Sequence, residues 1–228
     1  MQQQTAISLL GGDTVDSASD YRDALPVNMM AISKDILGAK GYMLMQSGLT
    51  FFGKGFGVDR GGVWNERLGI HFRVSGQKLV AVGAGGSVVE LGDIDGTDTV
   101  SLPYSFNTQG IVANNRFYLY NTDIGLVEIT DGDLGMPIDA TWIDGYYFFC
   151  DSENIYHSNL NDDPPTNPDS FIDALQFATA EFSPDPTLGV GKTQDNKAIV
   201  FSRYSIEYFS NIASDNFAFT RKIGRAHV

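Results

Sequence analysis

A short run of β-branched or aromatic residues, a polar turn and a second such run form a unit that appears four times between residues 70 and 209. Ile70-His71-Phe72-Arg73-Val74 turns at Ser75-Gly76-Gln77 and resumes with Leu79-Val80-Ala81-Val82. Phe117-Tyr118-Leu119-Tyr120 turns at Asn121-Thr122-Asp123 and resumes with Leu126-Val127-Glu128-Ile129. Tyr147-Phe148-Phe149-Cys150 turns at Asp151-Ser152-Glu153 before Ile155-Tyr156-His157, and Ile199-Val200-Phe201-Ser202 turns near Arg203-Tyr204 before Ile206-Glu207-Tyr208-Phe209. Each unit is a hairpin signature, because branched and aromatic side chains suit a pleated, half-buried surface and polar residues suit the reversal. Weaker strands are expected between them at Val88-Val89-Glu90-Leu91, Thr99-Val100-Ser101-Leu102 and Gly110-Ile111-Val112-Ala113.

The chain is therefore expected to be all-β. Four short strands per unit, recurring every few tens of residues, suit the blades of a β-propeller. The hairpins begin near residues 70, 117, 147 and 199, an irregular spacing that a β-sandwich also accommodates. A propeller left incomplete would expose an unclosed edge. Residues 161–187 interrupt the pattern with Pro164, Pro165, Pro168, Pro184 and Pro186 and one short run from Phe171 to Phe177, and are read as an ordered insertion between strands.

The amino-terminal region differs. Residues 1–20 are polar apart from Ile7, Leu9 and Leu10, and read as an arm. Pro26 disfavours helical geometry at Leu25 and removes a donor, and the alternation Leu25-x-Val27-x-Met29 puts three apolar side chains on one face of an extended chain. Asn28 holds the chain locally through its side chain. Residues 16–30 are expected to dock in extended form, either as an assembly clasp or as a first strand completing a blade. Ser33 could cap a single helical turn before Gly38, and residues 42–52 read as strand, turn at Ser47-Gly48, and strand. The expected division is an arm with first strands over residues 1–56 and a propeller-like domain over 57–222.

At 228 residues with 43% hydrophobic content, the chain can bury a real core. Its one cysteine, Cys150, allows no intrachain disulfide, which suits assembly in a reducing cytoplasm. Met1-Gln2-Gln3-Gln4 lacks the basic region of a signal peptide, and no apolar run approaches a membrane span, so no membrane partner is expected. The formal charge of -13 opposes general binding to DNA phosphates, which depends on lysine and arginine. Acidity either keeps the protein soluble or lets DNA slide past without sticking.

Motifs for chemistry fail on context. Gly189-Val190-Gly191-Lys192-Thr193 resembles the end of a phosphate-binding loop, but Pro186 stands where the first glycine is needed and no helix pattern follows, so it is read as a turn before a strand. Asp93-Ile94-Asp95-Gly96-Thr97-Asp98 has Tyr104 where a calcium loop needs its bidentate glutamate, and reads as an aspartate-rich turn. Asp131, Asp133, Asp139 and Asp144 are given the same reading. Gly83-Ala84-Gly85-Gly86 has the wrong spacing for a dinucleotide fingerprint. His71 and His157 lack ligand-spaced neighbours, and the aromatic runs Phe51-Phe52 and Tyr146 to Phe149 are read as core packing rather than stacking platforms. No catalytic residue, metal site or cofactor is expected. A propeller glycosidase or depolymerase is the enzymatic alternative, since it could pair two such carboxylates. A generic propeller interaction domain is a third reading.

The last residues, Ile223-Gly224-Arg225-Ala226-His227-Val228, back-translate to a common short-read sequencing adapter, so 223–228 is expected to be a non-native tail on a longer protein.

Asp20-Tyr21-Arg22-Asp23-Ala24-Leu25-Pro26-Val27-Asn28-Met29-Met30, Lys34-Asp35-Ile36-Leu37, Gly41-Tyr42 and Gly48-Leu49-Thr50 resemble the opening of the tail hub of short-tailed phages related to those of Salmonella. The family is also called the packaged-DNA-stabilisation or head-completion proteins. Gly57-Val58-Asp59-Arg60-Gly61, Arg73-Val74, Lys78-Leu79, Gly189-Val190-Gly191 and Ile206-Glu207-Tyr208-Phe209-Ser210 continue the likeness in order. The resemblance implies a homo-hexameric ring with a propeller-like domain in the virion tail, assembled in the host bacterial cytoplasm. The ring would join the portal-adaptor to the tail needle and tailspikes, and close the channel behind packaged double-stranded DNA without reading its sequence. It implies no active site. Leu25, Pro26, Val27, Asn28, Met29, Tyr208 and Phe209 are the expected assembly or packing residues.

Overall fold

The computed structural model describes residues 29–32, 42–45, 48, 50–179 and 185–227. Every regular element among them is a strand. The chain separates into two units, residues 1–51 and 52–228. In the first, β1 (Met29–Ile32) pairs antiparallel with β2 (Tyr42–Met45), Met29 opposite Met45 and Ile32 opposite Tyr42.

The second unit contains four antiparallel sheets, each a meander in chain order. The first is β3 (Asp59–Asn65), β4 (Ile70–Ser75), β5 (Lys78–Val82) and β6 (Val88–Asp93). The second is β7 (Gln109–Ala113), β8 (Arg116–Asn121) and β9 (Gly125–Glu128). The third is β10 (Asp139–Ile143), β11 (Tyr146–Cys150), β12 (Asn154–His157) and β13 (Phe177–Thr179). The fourth is β14 (Thr187–Lys192), β15 (Ala198–Ser202), β16 (Ser205–Asn211) and β17 (Phe219–His227). All four expected hairpins are present: β4–β5, β8–β9, β11–β12 and β15–β16. The tight turns follow local chemistry. Asn114 and Asn115, both at positive φ (50° and 57°), join β7 to β8, and Asp144-Gly145 does the same between β10 and β11.

The three-stranded sheet has a fourth member in outline. Ser101 bridges Val112 and Tyr104 bridges Gln109, so residues 101–104 lie along the free edge of β7. The expected strand at Thr99 to Leu102 is thus reduced to isolated bridges, and Pro103, without an N–H, interrupts it. With this segment included, each sheet opens with an inner strand: β3, 101–104, β10 and β14.

Burial follows the sheet stack. Phe72, Val74 and Leu79 of the first sheet pack with Ile111, Ala113 and Tyr118 of the second. Val112, Phe117 and Leu119 of the second pack with Ala140, Tyr147, Phe149 and Tyr156 of the third. Ile143, Tyr146, Phe148, Cys150 and Ile155 of the third pack with Val190, Ala198, Val200 and Phe209 of the fourth. The run Tyr146–Cys150 is buried at every position, because alternate residues serve opposite interfaces. Face-to-face sheets in chain order are the propeller arrangement, and the sandwich alternative is set aside.

Several local expectations are corrected. The segment around Gly189 to Lys192 is strand β14, not a turn; the turn follows at Thr193, whose N–H and hydroxyl both donate to the Lys197 carbonyl. Asp139 opens strand β10 rather than sitting in a turn. Phe51 and Phe52 form no second strand and are exposed rather than in the core. The helical turn at Ser33 and the residues Leu25, Pro26, Val27 and Asn28 lie outside the described residues.

Candidate functional site

The inner strands are joined by hydrogen bonds that cross from sheet to sheet. The Val100 N–H donates to the Arg60 carbonyl at 3.1 Å, and the Val190 N–H donates to Asp139 Oδ2 at 2.9 Å. Between them the Ser101 hydroxyl reaches the Ala140 carbonyl at 3.5 Å. A sheet edge otherwise presents open N–H and C=O groups, so these contacts spend the inner edges inside the molecule.

Arg60 is the most heavily committed side chain of this region. It is 4% exposed, and its guanidinium donates only to backbone carbonyls: Nε to Asp98 at 2.7 Å, Nη1 to Gly76 at 3.1 Å and Ile94 at 3.3 Å, and Nη2 to Asp95 at 2.8 Å. Burial pulls its pKa below the ordinary arginine value, while Asp98, Tyr118 and Asp95 act in the opposite direction. The planar fork ties the β4–β5 turn to the aspartate-rich loop after β6. Asp93, the last residue of β6, meets Lys78 at 2.6 Å, and Asp95 of the loop meets Arg116 at 3.1 Å.

A buried polar line runs along the first three sheets. Asn65 Nδ2 donates to Gln109 Oε1 at 3.2 Å, and Gln109 Nε2 donates to the carbonyls of Pro103 and Gly110 at 3.0 and 2.8 Å. Further on, the Thr108 hydroxyl lies 2.7 Å from the Tyr147 hydroxyl and also contacts Asp163. Burial raises the Tyr147 pKa, so its hydroxyl stays protonated. Satisfied in this way, such groups fix the register of neighbouring sheets rather than offering a reactive centre.

Several aspartates, among them Asp131, Asp139 and Asp144, which the sequence places in turns, accept from groups distant in the chain. Asp131 Oδ1 accepts from the Asp133 N–H, as a turn residue should, but its Oδ2 accepts the N–H groups of Phe171 and Ile172 at 2.7 and 2.8 Å, forty residues away. This carboxylate fastens the insertion between β12 and β13, whose Phe171 is fully buried beside Phe117 and Tyr147. Asp139 Oδ2 accepts the Val190 N–H within β14 of the next sheet. Asp185 Oδ2 accepts from the Tyr204 N–H at 2.7 Å and the Ser205 hydroxyl at 3.0 Å. Asp144 contacts Asn196. These carboxylates are taken up by backbone and side-chain donors rather than paired across a cleft.

His157 is 1% exposed. Its Nδ1–H donates to the Ser158 carbonyl at 2.8 Å, and Nε2 accepts the Ala218 N–H at 2.9 Å, which requires the neutral ring. Burial lowers its pKa, with the Ser158 hydrogen bond opposing. Tyr146, Phe217 and Phe219 surround it.

Of the expected assembly residues, Met29 opens β1, and Phe209 is core, 3% exposed between the third and fourth sheets. Tyr208 lies on the opposite face of β16, half-buried. Buried Glu207 pairs with Arg221 at 2.8 Å, and Arg221 reaches back to the Thr179 carbonyl at 3.2 Å. The Ile206-to-Ser210 block is thus a strand with a core face and an outer face. From sequence, Asp131 reads only as a turn residue, and Arg60, Asp185 and Gln109 carry no assigned structural role. Of these, Arg60 carried a signal, an arginine beside Gly61 and Gly62 in the strand Asp59–Asn65.

A family model described as "Bacteriophage P22 Gp10, beta-propeller" matches residues 5–226. The chain belongs to this family. The tail hub protein gp10 of Salmonella phage P22 is 31% identical over 222 residues, covering 92% of this chain and 44% of the relative. The chain therefore spans less than half the length of that relative. Among solved structures, virginiamycin B lyase from Staphylococcus aureus matches at a TM-score of 0.51 with 10% identity, over 86% of this chain and 62% of that one. At such identity the likeness concerns the fold alone, and it agrees with the propeller description of the family.

Proposed function

We propose that this chain is the propeller-forming part of a structural, non-enzymatic tail hub of a short-tailed bacteriophage. In this reading the hub joins the virion after DNA packaging, as a ring of six copies beneath the portal-adaptor, and carries the tail needle and tailspikes. It lengthens and narrows the exit channel so that pressurised DNA stays in the head. The supporting observation is the 31% identity to a phage tail hub protein across 92% of the chain. Carboxylates committed to holding sheets together, such as Asp131 and Asp139, suit a mechanical part. The net charge of -13 suits a wall past which DNA moves without adhering. Leu25, Pro26, Val27, Asn28 and Met29 act as an extended clasp in assembly.

The test is complementation with the full-length gene. Heads made without it should lose DNA to nuclease, and added purified protein should restore protection. Protein with Leu25 and Val27 both changed to aspartate should stay folded yet fail to restore it. Mutant heads that retain their DNA, or purified protein that hydrolyses host polysaccharide, would refute the reading.

A further inference from the structure

Residues 129–138 join β9 to β10, and Asp131 fastens this loop to the N–H groups of Phe171 and Ile172 in the insertion. Beside this anchorage lies a cavity of about 300 Å³, walled by the loop, by the β11–β12 turn, and by residues 172–174 with Phe177 of β13. Three carboxylates line it: Asp133, Asp151 and Asp173. Asp151 Oδ1 accepts the Glu153 and Asn154 N–H groups, and Asp173 Oδ1 accepts that of Leu175. Among the described residues, none of the three carboxylates enters a salt bridge.

Tyr156 of β12 lines the same cavity, its ring stacked on Phe149 at 5.4 Å and 16°. It is 4% exposed, and its hydroxyl has no hydrogen-bond partner among the described residues. Burial raises its pKa, with Asp151 and Cys150 acting in the same direction, so the hydroxyl stays protonated. A buried hydroxyl without a partner is unfavourable, and a ligand that supplies one gains by it. Gly135, at a φ of 67°, marks where such a ligand meets the phenol. A Cβ there would stand 3.6 Å from Tyr156 Oη and 3.7 Å from Asp151 Oδ2, so a group resting over this glycine touches both oxygens. Phe177, 56% exposed, adds an open aromatic ring to the cavity wall.

These atoms specify the chemistry of the occupant. Three carboxylates oppose phosphate or any other anion. Among the described residues, no three acidic, histidine or cysteine side chains cluster so as to hold a metal ion. A cation bearing N–H groups suits both kinds of oxygen, because a phenol oxygen accepts hydrogen bonds as well as donating. A guanidinium suits them best: its planar fork spreads donors over several oxygens, and its face lies against an aromatic ring. We propose that this cavity is a docking pocket for an arginine side chain of a partner protein, its guanidinium held by Asp133, Asp151, Asp173 and Tyr156 Oη with Phe177 against its face. The net charge of -13 makes a basic partner the complementary one. The pocket stands on this geometry, whatever assembly the chain serves.

The test is equilibrium dialysis of the full-length protein, at low salt, against the tritiated peptide acetyl-Gly-Gly-Arg-Gly-Gly-amide. Binding should saturate, and the peptide with lysine in place of arginine should bind at least about threefold more weakly. Changing Asp133 and Asp173 together to asparagine should weaken binding of the arginine peptide at least about tenfold. Tyr156→Phe should weaken it at least about threefold without lowering the urea midpoint, since the lost hydroxyl pairs with nothing in the free protein. Near-ultraviolet circular dichroism verifies that each variant is folded. Binding that fails to saturate, or that is unchanged in the aspartate double variant, would overturn the proposal. So would a lysine peptide that binds equally well. A Tyr156→Phe protein with a lowered midpoint and unchanged binding would make the hydroxyl structural and defeat the reading. Displacement of the peptide by calcium chloride or glucose, where sodium chloride of the same ionic strength leaves it bound, would make a metal or a sugar the occupant and likewise overturn it.

Discussion

Arg60→Met tests whether a single guanidinium ties the first blade together. Methionine keeps much of the aliphatic stem and removes four hydrogen bonds, to the carbonyls of Asp98, Gly76, Ile94 and Asp95. Hydrogen bonds to a charged group contribute about 1.5–3 kcal/mol each, which taken at face value would exceed 6 kcal/mol. Two effects reduce the sum. Only the contact to Ile94 is fully buried, so water can reach the other carbonyls once the side chain is gone. Removing Arg60 also relieves the cost of burying a cation, the same burial that lowers its pKa. The expected net loss is about 3 kcal/mol. Urea denaturation followed by tryptophan fluorescence measures it, since Trp64 lies in β3 and Trp142 in β10. Hydrogen exchange should quicken at the Val100 amide, which donates to the Arg60 carbonyl. The control is Arg73→Met in the adjacent strand, whose guanidinium forms an exposed pair with Asp59 and should cost under about 1 kcal/mol. Equal losses for the two variants, or a loss under about 1 kcal/mol for Arg60→Met, would refute the argument.

Asp131→Asn should release the insertion between β12 and β13, because a single carbonyl oxygen cannot replace a carboxylate that accepts from three N–H groups. The expected cost is about 2 kcal/mol, with faster exchange at the Phe171 and Ile172 amides and no change in the fourth sheet. His157 should make stability depend on pH. Its folded pKa is depressed, so the unfolded chain takes up the proton first; the contribution is complete above about pH 6.5 and is lost as pH falls below that value. Relative to His157→Gln, the native chain should lose about 1 kcal/mol between pH 7.5 and 5.5 in urea denaturation, and parallel profiles would count against the neutral ring.

The hairpins were legible because their determinants are local. Gly76 adopts positive φ in the β4–β5 turn, Asp151 Oδ1 accepts the Glu153 and Asn154 N–H groups in the β11–β12 turn, and the alternation of Phe72, Val74, Ile199 and Phe201 can be read over a few residues. The repeat length was harder to see. The unit starting at residue 117 pairs the last two strands of its blade, whereas those near 70, 147 and 199 pair the second and third, so the spacing looked irregular. Aligned on second strands, the blades start at Ile70, Gln109, Tyr146 and Ala198, and the one long interval contains the insertion after β12. Inner strand β14 was read as a turn, and the expected strand at Thr99 to Leu102 proved only a pair of bridges, for a related reason. β14 contains two glycines after Pro186, and residues 101–104 contain Pro103, all turn-forming residues by local rules.

By itself the sequence determined the strand-rich class, the hairpin turns and the apolar faces, since pleat alternation and backbone preferences act over a few residues. Tertiary structure decided which carboxylates became anchors and which strands became inner edges. Asp131 and Asp139 look alike in sequence to Asp133, which serves a turn; they differ because a backbone N–H from forty or fifty residues away arrives at the free oxygen. That arrival depends on the stacking of whole sheets, and so does the meaning of Arg60, whose four acceptors are carbonyls supplied by two separate loops. Hydrogen bonds to backbone carry no side-chain signature at the acceptor, so only the packed sheets place them.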